Sequence, residues 1–125
     1  MLFLLNLNNL MQPNDLFIFT TLSGTGLDIQ VLWDNSPSIS PPHHINFFNP
    51  ISIKMILERT GFQCIEVNTP GQLDIDILAN NKDFVKDRFW NTFLETANET
   101  QKRKWQKIVT ESGWSSHIMV IGQKL

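Results

Sequence analysis

Between Asn49-Pro50 and Gly61-Phe62 the chain carries a short helix with both of its ends written into the sequence. Asn49 can accept hydrogen bonds from the free amides of a first turn, and Pro50 suits the first helical position. Gly61 can take the left-handed conformation that stops a helix, and Phe62 is placed to fold back on the last turn. Ile53, Ile56 and Leu57 fall on one face. An apolar run lies on either side. Leu16 to Thr21 reads LFIFTT, which predicts a strand buried on both faces, as in the middle of a parallel sheet. Gln63 to Thr69 alternates Ile65 and Val67 with Glu66 and Asn68, which predicts a strand with one wetter face, nearer an edge. Strand, helix, strand at this spacing makes a right-handed crossover unit.

The rest of the chain is organised around that unit. Pro13-Asn14-Asp15 is a turn into the first strand. Ser23-Gly-Thr-Gly26 breaks it. This loop lacks the third glycine of a dinucleotide fingerprint and the lysine of a P-loop, so a flexible loop is expected rather than a phosphate cradle. Gly26 to Trp33 predicts a short helix with Leu27, Val31 and Leu32 on one side. Ser36-Pro37 and Pro41-Pro42 then enforce an extended path. After Leu73 to Leu78 come two helical patterns. One carries Phe84, Phe89, Trp90, Phe93, Leu94 and Ala97. The other carries Trp105, Ile108 and Val109, with Thr96 or Asn98 as its cap and Gly113 as its stop. His117 to Gly122 is a further apolar strand. Leu2, Leu5 and Leu10 predict the end of a buried helix.

Several function classes are disfavoured. A net charge of -2 provides no field towards nucleic acid or an anionic membrane. Lys102-Arg103-Lys104 and Lys107 lack interleaved aromatic residues, so they read as a solvated helix face. The opening residues are too short an apolar stretch to span a bilayer and lack a basic leader, so they read as neither a span nor a signal peptide, and the lone Cys64 makes a reducing, cytoplasmic setting the expectation. The single cysteine, Cys64, precludes an internal disulfide and a cysteine-rich zinc site. Beside Phe62 and Ile65 it reads as a small buried apolar residue.

Pro42-His43-His44-Ile45-Asn46-Phe47-Phe48 holds the chemistry-bearing candidates. A histidine in a loop leaving a strand's carboxyl end can orient a substrate hydroxyl or take its proton. Equally, one imidazole can bind loop backbone while Phe47 or Phe48 plugs the core. Neighbouring side chains diverge in extended backbone, so a metal pair is not expected. Asp74-Ile75-Asp76 has an Asp-x-Asp form that metal-dependent glycosyltransferases use, but acids in a first helical turn also suit the helix dipole. The four tryptophans could line a substrate pocket; at helical spacing Trp90, Trp105 and Trp114 read more readily as core, while Trp33 follows the loop on the expected ligand side.

These residues together resemble the C-terminal half of a class I S-adenosylmethionine-dependent methyltransferase. Met11 to Thr21 is similar to the family's entry into its fifth strand, with Asn14-Asp15 where the family usually has two glycines. Pro42 to Phe48 followed by Ile51 to Phe62 resembles its histidine, aromatic, helix and Gly-Phe signature. His117 to Lys124 resembles its last antiparallel strand. The resemblance implies an α/β fold: the end of a preceding helix over residues 1–12, a strand-loop-helix-strand unit over 13–69, a helical insertion over 70–113, and a final strand over 114–125. It implies a sheet in the order first, last, middle. It implies methyl transfer to a small-molecule or sugar-like acceptor, with His43 and His44 in acid–base or positioning roles and Trp33, Asn46 and Phe47 at the acceptor. The family's cofactor-binding strands and glycine loop precede its fifth strand, so no cofactor-binding residue is expected here, and S-adenosylmethionine is not expected to bind this chain alone. The strand Leu16–Thr21 is then expected to pair with a second copy or a complementing chain. A non-catalytic binding module is the alternative, and a glycosyltransferase a weaker one.

Overall fold

A computed structural model describes residues 1–125. Its elements run α1 (Leu2–Leu10), β1 (Leu16–Leu22), α2 (Leu27–Leu32), α3 (Pro50–Arg59), β2 (Phe62–Asn68), α4 (Asp74–Asn80), α5 (Arg88–Thr96), α6 (Glu99–Glu111) and β3 (His117–Lys124). Short 3-10 turns occupy Trp33–Asn35 and Lys82–Phe84. The sheet order is β1-β3-β2, first, last, middle, as expected, and β3 is antiparallel to both neighbours. β1 and β2 therefore run parallel to each other with the last strand inserted between them.

The helix ends follow their sequence signals. Asn49 accepts from the Ile51 and Ser52 amides at 3.0 and 2.8 Å, and the Ser52 hydroxyl accepts from the Asn49 amide. Gly61 has φ 82, the left-handed stop. Asn98, rather than Thr96, caps α6 in a reciprocal box with Gln101. The long helical pattern that begins at Phe84 is divided. Phe84 sits in a 3-10 turn, and α5 starts only after Asp87, which caps it.

One sheet face is covered. Ile53 and Leu57 of α3 and Leu4 of α1 meet Phe62, Ile118 and Val120, with Phe17 and Phe19 packed alongside. Phe62 is fully buried against the helix it terminates, as its position after Gly61 requires. A second core, built from Leu27, Leu32, Ile75, Leu78, Val85, Leu94 and Val109, joins α2 to the helices inserted before β3.

Two expectations are corrected here. β1 is not buried on both faces: Leu16 is 60% and Ile18 65% exposed. The cause is that no helix covers the face carrying Leu16, Ile18 and their cross-strand partners Gln123 and Ile121. Nor is α1 a buried helix. Only Leu4 is buried, while Leu2, Phe3, Leu5 and Leu10 face outward. It is held by polar ties instead. Asn8 donates to the Thr60 and Gly61 carbonyls, and the Lys124 ammonium donates to the Asn8 and Met11 carbonyls at the helix C-terminus, where a cation is favoured.

β2 lies at an edge, as its alternation suggests. A bulge between Cys64 and Glu66 leaves Ile65 unpaired and half exposed. Cys64 is only partly buried. Burial still pushes its thiol pKa up; Lys54 opposes the shift and Glu58 reinforces it. A raised pKa lowers the thiolate fraction at neutral pH, which suits a packing residue rather than a nucleophile.

Candidate functional site

Beyond the carboxyl end of β1, where open α/β sheets bind ligands, lies a cavity of about 980 Å³. The segment after β1 provides Thr25, Leu27, Gln30 and Val31. The start of α3 provides Asn49, Pro50 and Ile51. The opposite wall comes from Asp87, Trp90, Trp105, Ile108, Val109 and the turn Ser112-Gly113-Trp114.

The aromatic wall is braced from behind. Trp90 and Trp105 meet edge to face, ring centres 5.7 Å apart, and both pack on Phe89 and Phe93. Trp114 is set by how α6 ends. Gly113 has φ 82, and the Trp114 amide donates back to the Val109 carbonyl at 3.0 Å, which turns the chain and projects an indole that is 63% exposed. Asp87 is the sole ionisable side chain on the lining. Its Oδ1 accepts from the Trp90 amide at 3.0 Å, so its position is fixed by capping α5.

Thr25 brings the Ser23–Gly26 loop to the cavity, and that loop is tied rather than flexible. Ser23 N–H donates to Ser116 O, Gly24 N–H to Phe48 O, Gly26 N–H to Ser23 O, and Leu27 N–H to Trp114 O, all within 2.7–2.9 Å. A Cβ on Gly26 would lie 2.2 Å from Ser116 Cα, so glycine is needed there for close backbone approach. With those amides spent on the chain itself, the loop has no ring of free donors for a phosphate.

Ser116, which accepts from Ser23, also bonds Asp74, 1% exposed. Its Oδ1 accepts from Ser116 N–H at 2.8 Å, and its Oδ2 from the Ser115 hydroxyl at 2.7 Å and the Gln106 amide at 2.9 Å. Gln106 in turn accepts from Ile75 N–H and donates to Gly71 O. One carboxylate thus joins α4, α6 and the entry to β3. Asp76, two residues on, faces solvent. The Asp-x-Asp pair is split between interior and surface, and both oxygens of Asp74 are consumed.

The residues singled out from sequence sit elsewhere. His43, His44, Asn46 and Phe47 are all exposed, and none lines the cavity. The backbone at the histidines is not extended: His43 and His44 amides both donate to Ser40 O, closing a turn that contains the cis Pro41-Pro42 bond. No imidazole hydrogen bond anchors the loop. Asp28, fully buried at the start of α2, does so instead: its Oδ2 accepts from the Ser36 and Ser38 hydroxyls at 2.6 and 2.7 Å. Phe48, not Phe47, packs on the sheet core. Trp33 is 67% exposed and does not line the cavity either. It has φ 51 and ψ -120, a conformation that side-chain-bearing residues seldom adopt.

The roles of the tryptophans are therefore exchanged relative to expectation. Trp90, Trp105 and Trp114, read as core, form the cavity wall, and Trp33, read as the exception, stands apart. Periodicity placed Trp90 and Trp105 on apolar helix faces. What it does not encode is that Trp90 and Trp105 face a cavity walled on its other side by residues of α2 and the start of α3. The signal available in sequence was Gly113-Trp114, a bulky apolar residue just past a helix stop. No group of His, Cys, Asp and Glu side chains is arranged to hold a metal ion, and no helix is long and apolar enough to cross a membrane. No protein-family model and no curated protein matches this chain.

Proposed function

We propose that this chain is the acceptor-side part of a class I S-adenosylmethionine-dependent methyltransferase domain, acting on a small-molecule or sugar-like acceptor. The observation that carries the reading is the sheet: two parallel strands joined through α3, with the last strand inserted antiparallel between them. That order is what the resemblance implies for the fifth, seventh and sixth strands. The helix-stop signature at Gly61-Phe62 and the cavity beyond the carboxyl end of β1 support it further.

The residues present do not fit the cofactor. The one glycine loop has spent its Ser23, Gly24 and Gly26 amides, and the one lining carboxylate, Asp87, already caps a helix. S-adenosylmethionine would have to be held by the complementary half of the domain, and no step through it is assigned to these residues. The same observation favours the second reading, a binding module without catalysis.

Calorimetric titration with S-adenosylmethionine at millimolar concentration tests the division of labour. The chain by itself is expected to give no saturable heat. Saturation with a dissociation constant in the micromolar range would overturn the reading that its cofactor site lies on other residues.

A further inference from the structure

The cavity's lining carries information about what it holds. Its walls are largely apolar, with indole rings from three separate places: Trp90 on α5, Trp105 on α6 and Trp114 past the helix stop. Rigid, braced aromatic surfaces favour a flat or cationic body of comparable size. Against them stands a single charge, Asp87. Capping engages its Oδ1 alone, so Oδ2 remains available to a ligand. No lysine, arginine or histidine lines the cavity to neutralise a ligand anion. A carboxylate or phosphate entering here would face Asp87, which is exposed and lies between exposed Lys86 and Arg88, so the discrimination against anions is one that salt screens.

We propose that this cavity binds a flat aromatic compound bearing an amine, with the ring against the Trp90–Trp105–Trp114 wall and the ammonium at Asp87. As an identification of the acceptor class, this rests on the methyltransferase reading. As a binding property of the cavity, it is read without any cofactor, so the two can fail separately.

Three probes with one phenol ring and different side-chain charges isolate the two features: tyramine, a cation; tyrosol, neutral; and 4-hydroxyphenylacetate, an anion. In the 15N-labelled chain the indole N–H signals are separate reporters, with Trp33 outside the cavity as internal control. Titration with tyramine is expected to shift the Trp90, Trp105 and Trp114 signals saturably and leave Trp33 unmoved. At low salt, tyramine should bind about tenfold more tightly than 4-hydroxyphenylacetate, with tyrosol between. Asp87→Asn keeps a helix-capping side chain while removing the charge. In that variant the probes should converge to within about twofold of one another, because the ring contacts remain and the charge contact is gone. Shifts at Trp33 equal to those in the cavity, an unchanged affinity order in Asp87→Asn, or stronger binding of methyl glucoside than of tyramine would each overturn the proposal. Failure of the calorimetric test with S-adenosylmethionine would leave the binding assignment intact and remove only its identification as acceptor.

Discussion

Replacing Asp74 with alanine is expected to lower the unfolding free energy by about 3–4 kcal/mol, a large share of the roughly 5–15 kcal/mol that holds a domain of this size. The carboxylate accepts from Ser116 N–H, the Ser115 hydroxyl and the Gln106 amide, all in the interior. Hydrogen bonds to a charged acceptor are stronger than neutral ones, and truncation leaves each donor buried without a partner. The damage spreads because Gln106 also holds the Ile75 amide and the Gly71 carbonyl, so α4, α6 and the entry to β3 loosen together. Asp74→Asn should cost less, since one oxygen still accepts while the new amide group must face donors. Urea unfolding at low protein concentration measures both, with the slope m unchanged if only stability is altered. A loss under about 1 kcal/mol for the alanine variant would mean that water replaces the network.

The chain by itself is expected to associate through β1. Leu16–Leu22 pairs with β3 on one side only, and no backbone hydrogen bond leaves its other edge. Its sequence, LFIFTTL, has no charge or proline, and its pairing with β3 has no bulge, so nothing blunts that edge. The other outer strand is protected differently: β2 carries the Cys64/Glu66 bulge and an exposed carboxylate at Glu66. Exposed Leu16 and Ile18 extend the sticky surface onto the uncovered sheet face. Two copies pairing β1 to β1 would satisfy both edges. Light scattering coupled to size exclusion should show apparent mass rising towards that of a dimer as concentration increases. Ile18→Lys places a charge on an exposed position of the strand and should restore the monomer without loss of fold. A wild-type chain that stays monomeric across the range would mean that the edge needs no partner.

Local signals were legible where one residue type does one physical job. Asn49, Pro50 and Gly61 set α3, Asn98 and Gly113 set α6, and the strand order is the one the resemblance implies. Facial burial was not legible for β1, because an apolar run looks the same whether its second face is covered or bare. Leu16 and Ile18 lie on the bare face and are exposed. His43-His44 is conspicuous chemistry, yet the preceding loop is held by Asp28, Ser36 and Ser38, contacts between residues only 8 and 10 positions apart that no motif in the sequence marks. The cavity could not be read from periodicity, since a tryptophan on an apolar helix face serves as core or as wall according to what packs opposite. For Asp74 the sequence suggests a first-turn acid that suits the helix dipole. Only the return of the chain at Ser115-Ser116 makes it a buried hub.

We propose that this sheet is one end of a methyltransferase sheet, completed by a half that holds the cofactor. The most direct measurement is calorimetric titration of S-adenosylmethionine into three proteins: this chain, the cofactor-binding half of a class I methyltransferase, and the two joined so that β1 follows the half's fourth strand. Saturable micromolar binding is expected only in the joined protein, where β1 gains the strand its open edge lacks. Binding by this chain alone, or joined protein that binds no better than the cofactor-binding half by itself, would contradict the claim.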